Sequence, residues 1–179
     1  MIIINLEDTY EPIDVAEDLS FMTFYSEVTN SPNILIKIDI SPLGDLHLPN
    51  VYNMAFGPLI NGDIDDKAKI NHQSKDKVFS TILLFSLIYL QSNSKITIGI
   101  DGSNDIRAYL YHRMFLTNRT YLNEYFVTIG VDWYVKLLRN GDIELDTNRQ
   151  PYFKPKPEPF DYLRPARNLY RYYMFQLTQ

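Results

Sequence analysis

The stretch that most constrains this chain is Lys95 to Tyr111, KITIGIDGSNDIRAYLY. Isoleucines at 96, 98 and 100 alternate with Thr97 and Gly99, the two-residue period of a strand. Asp101-Gly102-Ser103-Asn104 then turns the chain, and Ile106, Leu110 and Met114 recur at helical spacing. A strand that feeds a helix through so tight a turn points helix N-terminal amides above the strand end. Gly102, Ser103, Asn104 and Arg107 are therefore the first candidate ligand or anion site, with a bidentate guanidinium one turn into the helix. A plainer reading competes with it: Ser103 caps the helix, and Arg107 pairs with Asp101 or Glu124. Asp101 and Asp105 flank the turn and oppose an anion, so the plainer reading is preferred.

The strand alternation and the long apolar helix signals make this an α+β chain with a mixed, mostly antiparallel sheet and two main helices. Ile2 to Leu6 reads as a short strand and Tyr10 to Ser20 as an acidic loop or poor helix. Phe21 to Val28 and Ile34 to Ile40 are strands joined by a turn at Thr29-Asn30-Ser31-Pro32, and Val51 to Phe56 is a third. Asn61 to Asp66 is a polar loop. From Ser74 to Gln91 the pattern is helical and apolar almost all round, with Ser74 as N-cap and Asp76 in the first turn. The second helix spans about Ser103 to Phe115, with one further turn at Tyr121 to Tyr125. Phe126 to Leu138 is a long strand, Asn140-Gly141 a hairpin turn, and Ile143 to Leu145 its return.

Five of the ten prolines fall between Gln150 and Pro165. They divide the chain into a domain, 1–148, and a Pro-rich arm, 149–179, that leaves the core extended. The end of the arm, LYRYYMFQL from Leu169 to Leu177, is too apolar to float free and reads as an edge strand or short helix. It is expected to pack on its own domain or on a neighbouring subunit.

Charge is split along the chain. Residues 1–66 hold twelve acids and Lys37 alone as a base, while the rest holds sixteen bases and ten acids. A solvated acidic face is the simple explanation; attraction between opposite ends, head to tail between subunits, is the sharper one. The arm interleaves Lys154, Lys156, Arg164, Arg167 and Arg171 with Tyr152, Phe153, Phe160, Tyr162, Tyr170, Tyr172 and Tyr173. That composition suits a single-strand nucleic-acid platform, but with so acidic an N-terminal half it better suits docking within the chain, in a homodimer, or on a protein partner.

With no cysteine, the chain has no disulfide, thiolate zinc site or Cys nucleophile. The opening MIIINLED lacks the basic n-region of a signal peptide. The apolar run Val78 to Leu90 falls short of the roughly 20 residues a membrane span needs. A cytoplasmic protein without a membrane partner is the expectation. His47, His72 and His112 are scattered without metal-ligand spacing, and His112, beside Arg113, is expected at the surface. Asp63, Asp65 and Asp66 lack the glycine and glutamate of a calcium loop, so no metal site is expected. Ser74-x-x-Lys77 has none of the segments that would make it a penicillin-binding-type site.

Three segments together resemble an uncharacterised domain-of-unknown-function family from Bacteroidota. They are Tyr52-Asn-Met-Ala-Phe56-Gly57, Lys75-Asp-Lys77-Val78-Phe-Ser-Thr81 and Gly102-Ser103-x-x-x-Arg107-x-x-Leu110-Tyr111, within about residues 50–130. Tyr109 stands where that family usually has an arginine, and its Asn-Gly-Asp before the helix is missing. The resemblance implies no chemistry. A fainter one is to the GNAT acetyltransferases, whose order of strands and helices is similar and whose helix motif matches Asn104 and Leu110-Tyr111. It implies acetyl-CoA as cofactor and Tyr111 as general acid to the departing thiolate. The pyrophosphate loop departs from that pattern, since Gln73-Ser-Lys-Asp76-Lys-Val78 puts a carboxylate and a branched side chain where small residues belong. Tyr111 then reads more simply as a packed tyrosine. A non-enzymatic interaction module needing no cofactor is the preferred expectation, and a GNAT-like acyltransferase, the toxin type included, the alternative.

Overall fold

A computed structural model describes residues 1–65, 68–102 and 104–178. Among these residues the strands are β1 (Pro12–Val15), β2 (Phe21–Val28), β3 (Ser31–Pro42), β4 (Val51–Ile60), β5 (Asp63–Ile64), β6 (Thr97–Asp101), β7 (Phe126–Val135), β8 (Phe153–Pro159) and β9 (Tyr172–Leu177). The helices are α1 (Lys75–Ser92), α2 (Asp105–Thr117) and the single turn α3 (Arg119–Leu122). The strands form one open sheet in the order β1-β2-β3-β4-β6-β9-β7-β8, with β5 folded back on β4. Every pairing is antiparallel except that of β4 with β6, the two strands joined through the helical crossover α1. This is the mixed, mostly antiparallel α+β sheet with two main helices that the sequence predicts.

α1 forms where its cap and pattern say it should. Ser74 accepts a hydrogen bond from the Lys77 N–H at 3.1 Å, and Asp76 sits in the first turn. Its all-round apolarity has a structural cause. One side packs on the sheet through residues such as Ile82, Leu83 and Leu90, and the N-terminal segment crosses it elsewhere. There the Asn5 and Tyr10 N–H groups donate to the Ser80 and Thr81 hydroxyls. The expected strand at Ile2 to Leu6 is not a strand. Ile2 and Ile4 are buried on the helices, and Asn118 holds them, accepting from the Ile4 N–H and donating to the Ile2 carbonyl. A side chain takes the place of a ladder partner.

Two other expectations are corrected. The acidic stretch after Tyr10 contains a strand, β1, because pairing with the edge of β2 overrides a poor local propensity. The Asn140-Gly141 turn forms, with Gly141 at φ 88°, but Ile143 and Leu145 make isolated bridges to Leu137 and Pro151 rather than a return strand. The partner that runs back along β7 is β8.

The expected arm is therefore part of the sheet. β8 is the edge strand, and its Pro155, Pro157 and Pro159 stand opposite Trp133, Val131 and Ile129. The Phe160 N–H donates to the Thr128 carbonyl at 3.2 Å, so even-numbered amides face β7 and the prolines fall on outward-facing positions. That outer edge has no donor at three successive outward positions and cannot be extended by another strand. β9, expected as an edge strand or short helix, lies inside the sheet between β6 and β7. Tyr173 and Phe175 there are fully buried.

Candidate functional site

β4 and β6 pair over only three positions, Val51↔Thr97, Tyr52↔Ile98 and Asn53↔Gly99. Beyond Asn53 the two parallel strands part. β4 continues to Ile60 and turns at Asn61-Gly62 into β5, with φ 52° and 94° at the turn. β6 ends at Asp101 and hands the chain to α2. The divergence opens a cleft of about 680 Å³ whose inner wall is Ile36, Phe56, Val78, Phe79, Leu110 and Tyr111. Its rim is polar, with Lys69, His72, Lys75, Asn104 and Arg107 beside Asp65 and Asp105. Parallel strands point their C-terminal ends at this opening, the place where α/β sheets commonly hold ligands.

The cleft collects part of the site that the sequence marks, and it changes the roles. Asn104, not Ser103, is the observed cap, accepting from the Arg107 N–H at 2.9 Å; Ser103 lies outside the described residues, as does Asp66 of the acidic loop. Gly102 is buried, and its N–H donates to the Arg171 carbonyl at 2.9 Å, so that amide is not offered to an anion. The close approach its missing Cβ allows is to Tyr173, 3.0 Å from where that carbon would stand. Arg107 lines the cleft. Asp105, expected to oppose an anion, is paired with Arg171 at 2.6 Å. Tyr111 is 4% exposed, set edge-on against Phe56 and Tyr173 with ring centroids 6.4 and 5.9 Å away. It is a packed tyrosine that also forms cleft wall.

Lys69, Ile70 and His72 arrive from the segment beyond Asn61 to Asp66; that stretch, expected as a polar loop, contains the strand β5, because the turn at Asn61-Gly62 folds Asp63 and Ile64 back onto β4. The Asn61-Gly62 dipeptide was the available signal, since it marks a hairpin that folds the following chain back over β4. The segment is fixed by a bridge between His72 and Val28 and by the His72 Nδ1–Ser26 Oγ contact at 2.7 Å. Burial, helped by Lys75, holds the His72 ring below the ordinary histidine range.

Other candidates fall elsewhere. His112 is not at the surface but 5% exposed, its ring tilted against Phe160 with centroids 5.2 Å apart, with burial again favouring its neutral form. His47 hydrogen-bonds Tyr152 at 2.7 Å. Among the described residues no group of three or more His, Cys, Asp or Glu is placed to hold a metal, and no helix is long and apolar enough to cross a membrane. In the tail, Phe160, Tyr170, Tyr172 and Tyr173 are buried, which removes those rings from any base-stacking surface. Arg164 pairs with Asp132 and Glu158 and Arg171 with Asp105, so these tail cations meet acids outside the acidic N-terminal half.

An open α+β sheet with a cleft where its one parallel pair splays defines the class. Residues 6–145 match the family of unknown function DUF6934, and the chain belongs to that family. The acetyltransferase likeness has no counterpart in this match. No curated protein and no solved structure matches the chain.

Proposed function

We propose that this protein is a binding module without chemistry of its own, holding a small molecule with an apolar body and an anionic end between β4 and α2. The observation that carries the reading is the cleft itself: an apolar wall below, three cations at the rim, and a volume of about 680 Å³. That volume lies within the roughly 300–1,000 Å³ usual for small-molecule sites. Asp105 is paired with Arg171, and among the described rim residues Lys69, Lys75 and Arg107 outnumber Asp65. The N-termini of α1 and α2 open toward the same rim and favour negative charge.

A second reading keeps the acyltransferase alternative, with acetyl-CoA as the ligand and Tyr111 as acid. The splayed parallel pair and Tyr111 in the cleft wall favour it. Val78 opposes it, since it is 4% exposed and fills the wall where a diphosphate would need bare backbone, with Asp76 close by in sequence. Association with a protein partner or a second copy belongs to the proposal too, through a surface other than β9 or the donor-free edge of β8.

Thermal denaturation with octyl phosphate, octanoate, inorganic phosphate and acetyl-CoA tests the two readings. Octyl phosphate near 100 times its Kd is expected to raise Tm by about 5 °C or more. Inorganic phosphate should do little, and a Lys75→Ala/Arg107→Ala variant should lose the shift. No response to either amphiphile would end the binding reading. A shift with acetyl-CoA together with thiol release that Tyr111→Phe abolishes would establish the acyltransferase.

A further inference from the structure

On the other side of α2 lies a second hollow, about 550 Å³, bounded by α2, the end of β7 and the segment 166–171 that leads into β9. It exists because β7 outruns its neighbour. The β7–β9 ladder begins at Val131↔Tyr172, so Asp132 and Trp133 continue past the start of β9 while the chain before Tyr172 swings away. Tyr109 from α2 and Trp133 from β7 both line the hollow, and they stay 53% and 43% exposed. Large rings left half in water on two elements around one groove suit a planar partner.

The charges in the groove point the same way. Both of its carboxylates are already engaged, Asp105 by Arg171 and Asp132 by Arg164. Arg167, on the short 3-10 turn Ala166–Asn168, lines the groove with no ion-pair partner among the described residues. One unspent guanidinium beside two exposed rings recognises a planar ring that bears an anionic group, the first by stacking and cation–π contact and the second by charge-assisted hydrogen bonds. We propose that this groove is a second binding site, separate from the β4–α2 cleft, for a small aromatic anion of the size of a nucleoside monophosphate.

Trp133 is the chain's single tryptophan, so its fluorescence reports directly on this groove. The probes are adenosine 5′-monophosphate, adenosine and inorganic phosphate, with equilibrium dialysis of the nucleotide run alongside the fluorescence titration. The expected result is saturable binding of the monophosphate that changes Trp133 emission, with adenosine and phosphate each at least about tenfold weaker. Arg167→Ala and Tyr109→Leu, both surface changes, should each weaken the monophosphate about tenfold or more while Tm stays unchanged. No binding by dialysis up to about 1 mM overturns the proposal, as does binding that Arg167→Ala leaves intact. Binding lost in Arg107→Ala but kept in Arg167→Ala would put the ligand in the β4–α2 cleft and also overturn it.

Discussion

Two strand glycines show how single residues set the packing of this sheet. Gly99 in β6 and Gly130 in β7 each lie under a tyrosine from the tail. A Cβ on Gly99 would stand 2.1 Å from the Tyr172 hydroxyl, and one on Gly130 would stand 2.3 Å from the Tyr170 ring. Glycine weakens a strand by its freedom, and here the ring that covers it restores the lost contact. Tyr170 is fully buried and its hydroxyl donates to Glu158 at 2.7 Å, so it cannot simply swing aside. Gly130→Ala is therefore expected to destabilise the protein by about 2–3 kcal/mol, read as a lower urea midpoint at unchanged slope. A midpoint within error of the parent would show that the Tyr170 ring has room to move. The alternation of Ile96, Ile98 and Ile100 made Gly99 legible as a strand position. The tyrosine above it was not legible, because it comes from 73 residues further along the chain.

At the scale of elements, the tail is what holds the two halves of the sheet together. β9 pairs with β6 on one side and β7 on the other, from Tyr172 to Leu177. Removing it leaves β6 without that neighbour and parts β7 from the rest of the ladder. It also strips Tyr173, Met174 and Phe175 out of the core. A chain ending at Asn148 is thus expected to lose its cooperative unfolding transition and its near-UV circular dichroism. A truncated chain that unfolds cooperatively would contradict the topology. Local signals found the prolines and showed they had no place inside a sheet, and the structure puts them on its edge. No local signal tells which two strands the last segment will enter between. α1 was legible from end to end because its cap, first-turn acid and apolar run are all neighbours in sequence.

For the molecule as a whole, burial of two histidines ties stability to pH. Burial favours the neutral ring of both His72 and His112, whose ordinary value is 6.5. Below that pH the unfolded chain takes up protons that the folded chain refuses, so it binds more protons and stability falls as pH falls. Above it neither state is charged and the effect vanishes. The urea midpoint should drop between pH 7.5 and 5.5, and the drop should shrink in His112→Phe, since His112 Nδ1 has no hydrogen bond to lose and the new ring keeps the contact with Phe160. An unchanged pH slope in that variant would remove His112 from the account. Sequence alone determined whatever depends on short spacings: the fold class, both main helices, the hairpin strands, the strand-turn-helix that borders the cleft and the exclusion of cysteine chemistry. Tertiary structure decided whatever depends on partners distant in the chain. The N-terminal segment became a cover for α1, β1 became a strand, His112 went inside, β9 entered the sheet, and the loop after β5 closed one rim of the cleft. Periods of two and 3.6 residues are set by the backbone's own geometry and can be read locally. Which surface covers which is settled by the burial of apolar area among elements far apart in sequence, and no window of the chain contains that competition.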